Sequence, residues 1–169
     1  ATFIRLSGAR QLGKERPMKR RAEMIVRQLR SDDLAEWSRM RLALWPDSGD
    51  DDLAAIMRQA LAPGSDIAIF VAERDGGGLC GFAEFGERPY AEGCLTSPAA
   101  YFEGWWVDAD ARRAGAGTAL FEAGAAWARA RGRKEIASDA LIDNGVSIAA
   151  HGAIGFQEVE RIVCSRRDL

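Results

Sequence analysis

One six-residue stretch limits the fold more than any other part of the chain. Arg112-Arg113-Ala114-Gly115-Ala116-Gly117 lies between a short aromatic strand, Tyr101 to Val107, and an alanine-rich segment running to Arg131. Two glycines at this spacing let main-chain N–H groups converge in a turn. The following helix directs its positive dipole end at the same point, so the stretch suits a phosphate or diphosphate. It is not a dinucleotide fingerprint, which needs three glycines after a first strand, and it lacks the Lys-Ser/Thr pair of a Walker loop. A tight turn with exposed arginines is the alternative that these residues leave open.

The rest of the pattern places this turn late in an α/β chain. Met24 to Leu29 reads as a first strand. Ser31 offers an N-cap to a helix carrying Trp37, Met40, Arg41 and Leu44 and ending at Pro46. An acidic loop, Asp47 to Asp52, precedes a second helix, Leu53 to Leu61. Strands over Ile67 to Glu73 and Gly81 to Glu87 flank the turn Asp75-Gly76-Gly77-Gly78. Residues 88–100 form a longer loop. On the helix from Gly117 to Arg131, Leu120, Ala123, Gly124 and Trp127 share the core face. A strand over Glu135 to Ala140, a helix over Asn144 to Ile154 and paired strands to the C-terminus complete the order βααβββαβαββ. Such an order predicts a mixed, mostly antiparallel sheet with helices on both faces.

With 169 residues and 18.4 kDa the chain predicts a single domain. Residues 1–23 carry seven basic side chains against two acidic ones, so of the net −2 the remainder carries −7. The basic segment reads as a leader or tag-like extension ahead of a domain over 24–169, with an arginine-rich nucleic-acid arm as the alternative. The acidic body disfavours nucleic acid and favours a polycationic small molecule. No apolar run reaches membrane-spanning length. Cys80, Cys94 and Cys164, with His151 as the lone imidazole, have no metal-ligand spacing. They predict buried thiols in a reducing cytoplasm, with Cys164 as an acyl carrier the reactive alternative.

Downstream of the glycine turn, Asn144, Ser147, His151, Gly155 and Phe156 stand at successive offsets of three, seven, eleven and twelve. With the turn itself, this pattern resembles the GCN5-related N-acetyltransferases over about residues 101–156. The resemblance implies that family's fold, with a splay between the third and fourth strands that holds acetyl-CoA as co-substrate and no metal. It implies cofactor contacts at Trp105, Trp106 and Val107, along Arg112, Arg113, Ala114, Gly115, Ala116, Gly117 and Thr118, and at Asn144 and His151. The resemblance also implies that a backbone N–H polarises the thioester and that an amine attacks it directly. His151 occupies the place of the family's tyrosine acid. An imidazole can protonate a departing thiolate, or it can simply bond the cofactor or fill space.

A narrower resemblance spans residues 24–169. Leu44-Trp45-Pro46, Tyr90, Gly93-Cys94, Ser97-Pro98, Phe102-Glu103-Gly104, Ala137-Ser138-Asp139, and Gly155-Phe156 with Glu158 and Glu160 are similar to the aminoglycoside 6'-N-acetyltransferases. That likeness implies a drug pocket lined by Trp45 and Tyr90, with ammonium groups on Glu103, Asp139 and Glu160. Glu103 or Asp139 then either takes the proton of the amine through water or orients the sugar while bulk water takes it, and the likeness implies a homodimer with C-terminal strands completing the partner's sheet or pocket. On its own residues, Glu103 interrupts an apolar strand, where alternation puts it on the face of Tyr101 and Trp105. A charge there needs pairing, which a cationic ligand or Arg112 or Arg113 supplies. Asp139 reads alternatively as a turn residue, Trp45 as a helix-end core residue, Tyr90 as a loop aromatic and Glu160 as a solvated charge. The same fold also suits an acetyltransferase for a protein or metabolite amine, or a non-catalytic acyl-CoA sensor.

Overall fold

The computed structural model describes residues 24–49 and 52–168. The basic segment 1–23, and residues 50 and 51 of the acidic loop, lie outside the described residues. Five strands form one sheet in the order β1 (Ile25–Gln28), β2 (Ala68–Glu73), β3 (Leu79–Arg88), β4 (Ala99–Val107) and β5 (Ile136–Ala137). All neighbours are antiparallel except β4 and β5. Helices α1 (Leu34–Leu44) and α2 (Leu53–Leu61) connect β1 to β2, α3 (Ala116–Ala130) connects β4 to β5, and α4 (Gly145–Ala153) follows β5.

Strand alternation divides the core. Ile69, Val71 and Phe82 face α1 and α2, where they meet Trp37, Met40, Met57 and Ala60. Ala72, Ala83, Phe85 and Phe102 face the other way and pack with Ala116 and Leu120 of α3. The buried stripe on α3 is Ala116, Leu120, Gly124 and Ala128, four residues apart, joined by Ala125. Ala123 and Trp127 flank it half-buried. The Asp75–Gly78 turn forms as expected, with Arg74 N–H bonded to Gly78 O at 3.0 Å. Among the described residues no helix is long and apolar enough to cross a membrane.

Several sequence expectations need correction. Ser31 starts a 3-10 turn rather than capping α1; the Asp33 carboxylate accepts the Arg30 N–H at 2.8 Å and pairs with Arg27. The third and fourth strands do not splay: β3 and β4 pair from Gly81–Val107 to Arg88–Ala99. The divergence lies one strand further on. β5 pairs with β4 only at Ala100–Ile136 and Tyr101–Ala137, after which the Ser138 hydroxyl donates to Phe102 O at 2.8 Å. A side chain there takes the place of a ladder bond, which ends β5 before Asp139. The paired C-terminal strands are also absent: residues 157–168 carry no regular structure and are exposed. Val159, Ile162 and Val163 are among their exposed apolar side chains.

Candidate functional site

The Arg112–Gly117 turn has the geometry its sequence predicts. Arg113 has a φ of 60° and Gly115 a φ of 96°, both left-handed. Alternation of such residues with right-handed ones points successive N–H groups inward. At Gly115 the conformation suits the absence of a Cβ, and as N-cap of α3 it supplies no side chain to bond the first helical turn. The first N–H groups of a fifteen-residue helix therefore face the turn with the helix dipole behind them. The Arg112 Nε donates to Val107 O at 2.8 Å and holds the turn against the end of β4. Arg112, Arg113, Ala114 and Thr118 are exposed, and Ala116 is buried. The groups needed to hold a diphosphate are thus present and fit it.

The flank of β4 carries two of the remaining cofactor candidates. Trp105 lies against α3 so closely that a Cβ on Gly117 would meet its ring at 2.8 Å. Trp106 points the other way: its indole packs among the α1-side core and donates to Asp108 at 2.9 Å, so only its main chain borders the diverging edge. Asp108 is a hub, accepting from Arg39 and Arg74 as well. Those cations and the Trp106 N–H hold its carboxyl below the usual carboxylate range, outweighing the opposing effect of its burial. The hub fastens the strand end ahead of the turn.

His151 packs among Phe102, Trp105 and Phe156, with ring centroids 5.3–5.9 Å away. Its Nδ1 lies 2.8 Å from Ser147 O, and because a carbonyl only accepts, the proton of that contact belongs to the ring. Nε2 lies 2.9 Å from the Ser138 hydroxyl oxygen, whose one proton is donated to Phe102 O. Asn144 has a more local task, its side chain accepting the Ser147 N–H at 3.0 Å as N-cap of α4. That cap fixes the helix that carries His151.

On the α1 side of the sheet, Glu103 occupies an irregular position. Phe85 is opposite Phe102 and Glu84 opposite Gly104, which leaves Glu103 as the extra residue of a bulge. The bulge resets alternation, so Phe102 and Trp105 share the α3 face, and Glu103 shares a face with Tyr101 but not with Trp105. Glu103 pairs with neither Arg112 nor Arg113. Its partner is Arg88, through Nη2–Oε2 at 2.5 Å and Nε–Oε1 at 3.2 Å. The Arg88 guanidinium carbon lies 3.3 Å from the centroid of the Tyr101 ring, and the Tyr101 hydroxyl donates to Asp139 at 2.7 Å. Burial and the neighbouring Asp139 carboxylate raise the Tyr101 pKa, so the phenol stays protonated as the donor.

Behind this cluster, Trp45 lies over Gly104, where a Cβ would meet its ring at 2.5 Å, and edge-on to Phe82. Arg41 stacks on Trp45 at 4.9 Å and donates to buried Glu84, which also accepts the Trp37 N–H. Burial pushes the Glu84 carboxyl up to about 7, against the opposing pull of Arg41 and Trp37.

Glu103, Asp139 and Trp45 therefore border one surface, joined by Arg88 and Tyr101. Tyr90 is largely exposed on the long loop, and Glu160 is exposed on the C-terminal segment. The two are linked indirectly: Val159 packs on Gly93, where a Cβ would meet it at 2.5 Å. The long loop itself is fastened by Glu135, which accepts the N–H groups of Leu95 and Thr96 and the Thr96 hydroxyl. Sequence reasoning missed Arg88, Glu84 and the roles of Arg41 and Ser138. Glu84, Gly86 and Arg88 alternate along β3, the one signal that groups them with the Glu103 face. Among the described residues no cluster of His, Cys, Asp and Glu is arranged to hold a metal.

Comparison with known proteins agrees with this geometry. The acetyltransferase (GNAT) family profile matches residues 26–156. The aminoglycoside N(6')-acetyltransferase type 1 of Klebsiella aerogenes is 42% identical over 149 residues, covering 86% of this chain and 97% of that relative. The enzyme of the same name from Stenotrophomonas maltophilia is 40% identical, covering 85% and 93%. Among solved structures, AAC(6')-Iy in complex with the bisubstrate analog CoA-S-monomethyl-acetylneamine superposes with a TM-score of 0.81 at 34% identity, covering 88% of this chain and all of that one. AAC(6')-Ih from Acinetobacter baumannii gives 0.80 at 34% identity, with 86% and 99% covered. With a sheet diverging beside a left-handed glycine turn and an anionic, aromatic surface on the same strand, this chain belongs to the GNAT acetyltransferases and, within them, to the aminoglycoside 6'-N-acetyltransferases.

Proposed function

We propose that the protein transfers the acetyl group of acetyl-CoA to the 6'-amine of an aminoglycoside by direct attack in a ternary complex, and so confers resistance to the drug. The observation that carries this reading is the meeting of Glu103, Asp139, Tyr101 and Trp45 on one face of the strand whose end leads into the anion-binding turn. When bound, acetyl-CoA supplies an activated thioester. The main-chain donors from Arg113 to Thr118 hold its diphosphate, and the edge of β4 near Trp106 and Val107 orients its arm. Glu103 and Asp139 attract the ammonium groups of the drug, and Trp45 and Tyr90 give apolar faces to its sugar rings. The reacting ammonium loses its proton to Glu103 or Asp139 through water. His151, positioned by Ser138 and Ser147, would deliver the Nε2 proton of its imidazolium form to the departing thiolate and be left as the neutral ring with its proton on Nδ1. Glu160 adds a carboxylate beside the Tyr90 loop, supported by the contact of Val159 with Gly93.

The test is thiol release with a panel of aminoglycosides. Release restricted to drugs carrying a free 6'-amine is expected. Release independent of that amine, or cofactor binding without turnover on any amine, overturns the reading. We further infer a homodimer working in the cytoplasm. An exposed segment bearing Val159, Ile162 and Val163 supports the dimer, which light scattering checks, because such a segment gains its missing strand partners from a second copy.

A further inference from the structure

The carboxylates assigned to ammonium binding are already engaged. Glu103 holds Arg88 through two bonds, and Asp139 takes the Tyr101 hydroxyl. The Arg88 guanidinium rests on the face of Tyr101, 3.3 Å from its centroid. Carboxylate on one side and aromatic face beneath is the environment that recognises an organic cation. Burial opposes the Arg88 charge, and the Glu103 bonds together with the fields of Glu103 and Asp139 more than offset it. The side chain keeps 43% of its surface exposed, so a path to solvent is open. It also stands at the last residue of β3, just before Pro89 and the long loop.

We propose that Arg88 is a built-in competitor that occupies the ammonium subsite between Glu103 and Tyr101 and must swing out when an aminoglycoside binds, thereby selecting polycations over monocationic amines. Two cations within a few ångström of each other on one carboxylate repel, so substrate and guanidinium exclude one another there. A ligand with several ammonium groups offsets the displacement through its contacts with Asp139 and other carboxylates. A monoamine has only the one contact to exchange for the one it breaks. This inference rests on the reading of Glu103 and Asp139 as ammonium binders.

The experiment compares Arg88→Gln and Arg88→Met with the parent and with Glu103→Gln. In the Arg88 variants KM for the aminoglycoside falls by about five- to tenfold with kcat changed by less than about twofold, and acetyl-CoA affinity is unchanged. A monocationic 6-amino sugar becomes a measurable substrate. KM unchanged or raised in both Arg88 variants, while Glu103→Gln raises it, overturns the competitor and leaves the ammonium subsite standing. KM unaffected by Glu103→Gln removes the subsite itself. Should neither Arg88 variant fold, side-chain NMR of the parent decides. The Arg88 Nε–H signal shifts and exchanges faster with solvent when aminoglycoside saturates the enzyme, and a signal that stays put refutes the proposal.

Discussion

Replacing Glu84 by glutamine changes how stability depends on pH, in a direction fixed by where that carboxyl lies. Glu84 is 7% exposed, between Trp37 and Arg41, and burial raises its pKa from 4.5 to about 7. Between those values the folded protein binds a proton that the unfolded chain has released. Stability therefore falls as pH rises through this window and levels off above about 7. At about 1.4 kcal/mol per tenfold change in proton affinity, the loss between pH 5 and 8 is about 2–3 kcal/mol. In the Glu84→Gln variant the side-chain amide oxygen still accepts the Trp37 N–H, and the group does not titrate. Carboxylates held below their usual range by arginines, such as Asp33 and Asp108, are the same in both proteins and cancel in the difference. At pH 5 the two proteins have nearly the same charge at this position. Moving to pH 8, the variant gains about 2–3 kcal/mol on the parent, which for a domain of this size is a relative rise in Tm of about 5–10 °C. Urea or thermal unfolding of both proteins at pH 5, 6, 7 and 8 measures the gap. Parallel curves refute the reasoning, because a Glu84 ionised throughout the range gives no pH-dependent difference.

Three further substitutions probe other parts of the molecule. Gly124→Ala puts a Cβ 2.0 Å from the Phe85 ring; the overpacked α3–sheet contact is expected to cost about 1–3 kcal/mol, seen as a Tm lower by about 2–12 °C. Ser138→Ala removes the hydroxyl between His151 Nε2 and Phe102 O. One hydrogen bond of about 0.5–1.5 kcal/mol predicts kcat down about 3–10-fold and an altered pH–kcat profile, with both KM values little changed. Glu135→Ala frees the Leu95 and Thr96 N–H groups and is expected to raise KM for the aminoglycoside, with faster proteolysis within residues 89–98. The Thr96 hydroxyl and these N–H groups hold the Glu135 carboxyl below its usual range. The parent loop is therefore expected to loosen only as pH falls through that depressed value, which protease sensitivity across an acid series checks.

Local signals in the sequence were enough for most of the elements. The helix Leu53–Leu61 falls at its predicted limits, and the helix expected from Asn144 begins there, with Asn144 as its N-cap. Periodicity is short-range, so it survives without knowledge of neighbours, whereas the expected Ser31 cap gives way to the 3-10 turn at Asp33, which pairs with Arg27 on β1. Features that depend on pairing did not survive either. The bulge at Glu103 is set by how β3 and β4 register, and period-two alternation applied across it misplaces Trp105. The end of β5 depends on the Ser138 hydroxyl reaching Phe102 O, a bond between residues 36 apart in sequence. Residues 157–168 carry the β-branched Val159, Ile162 and Val163 that favour a strand, yet composition does not supply a neighbour to pair with. At the site, Glu103 is legible as a charge that interrupts an apolar strand, whereas Asp139 is singled out only by the family resemblance. Arg88 was not, because an arginine at a strand end before Pro89 reads as an ordinary solvated cation.

On the function proposed above, the bulge bears on how one strand could serve two substrates of opposite charge. A diphosphate and a polyammonium ligand bind each other if their sites adjoin, and an enzyme for both must separate the charges while bringing the reacting groups together. Glu103 and Val107 are four residues apart on β4, about 13 Å at the usual rise of a strand. That length exceeds the Debye length of about 8 Å at physiological ionic strength, so the anion-binding turn and the carboxylates act on their ligands nearly independently. Between them lie Gly104, Trp105 and Trp106, which carry no charge and leave room for an uncharged arm. Without the extra residue, strict alternation from Tyr101 and Phe102 keeps Glu103 on the Tyr101 face but brings Trp105 to that face beside it, away from Phe102 and α3. With it, Glu103 stays half-buried beside Tyr101 and Arg88 while Trp105 remains packed on Phe102 and α3. The irregularity in register is thus what lets a half-buried carboxylate and the aromatic residues packed on α3 share nine residues of strand.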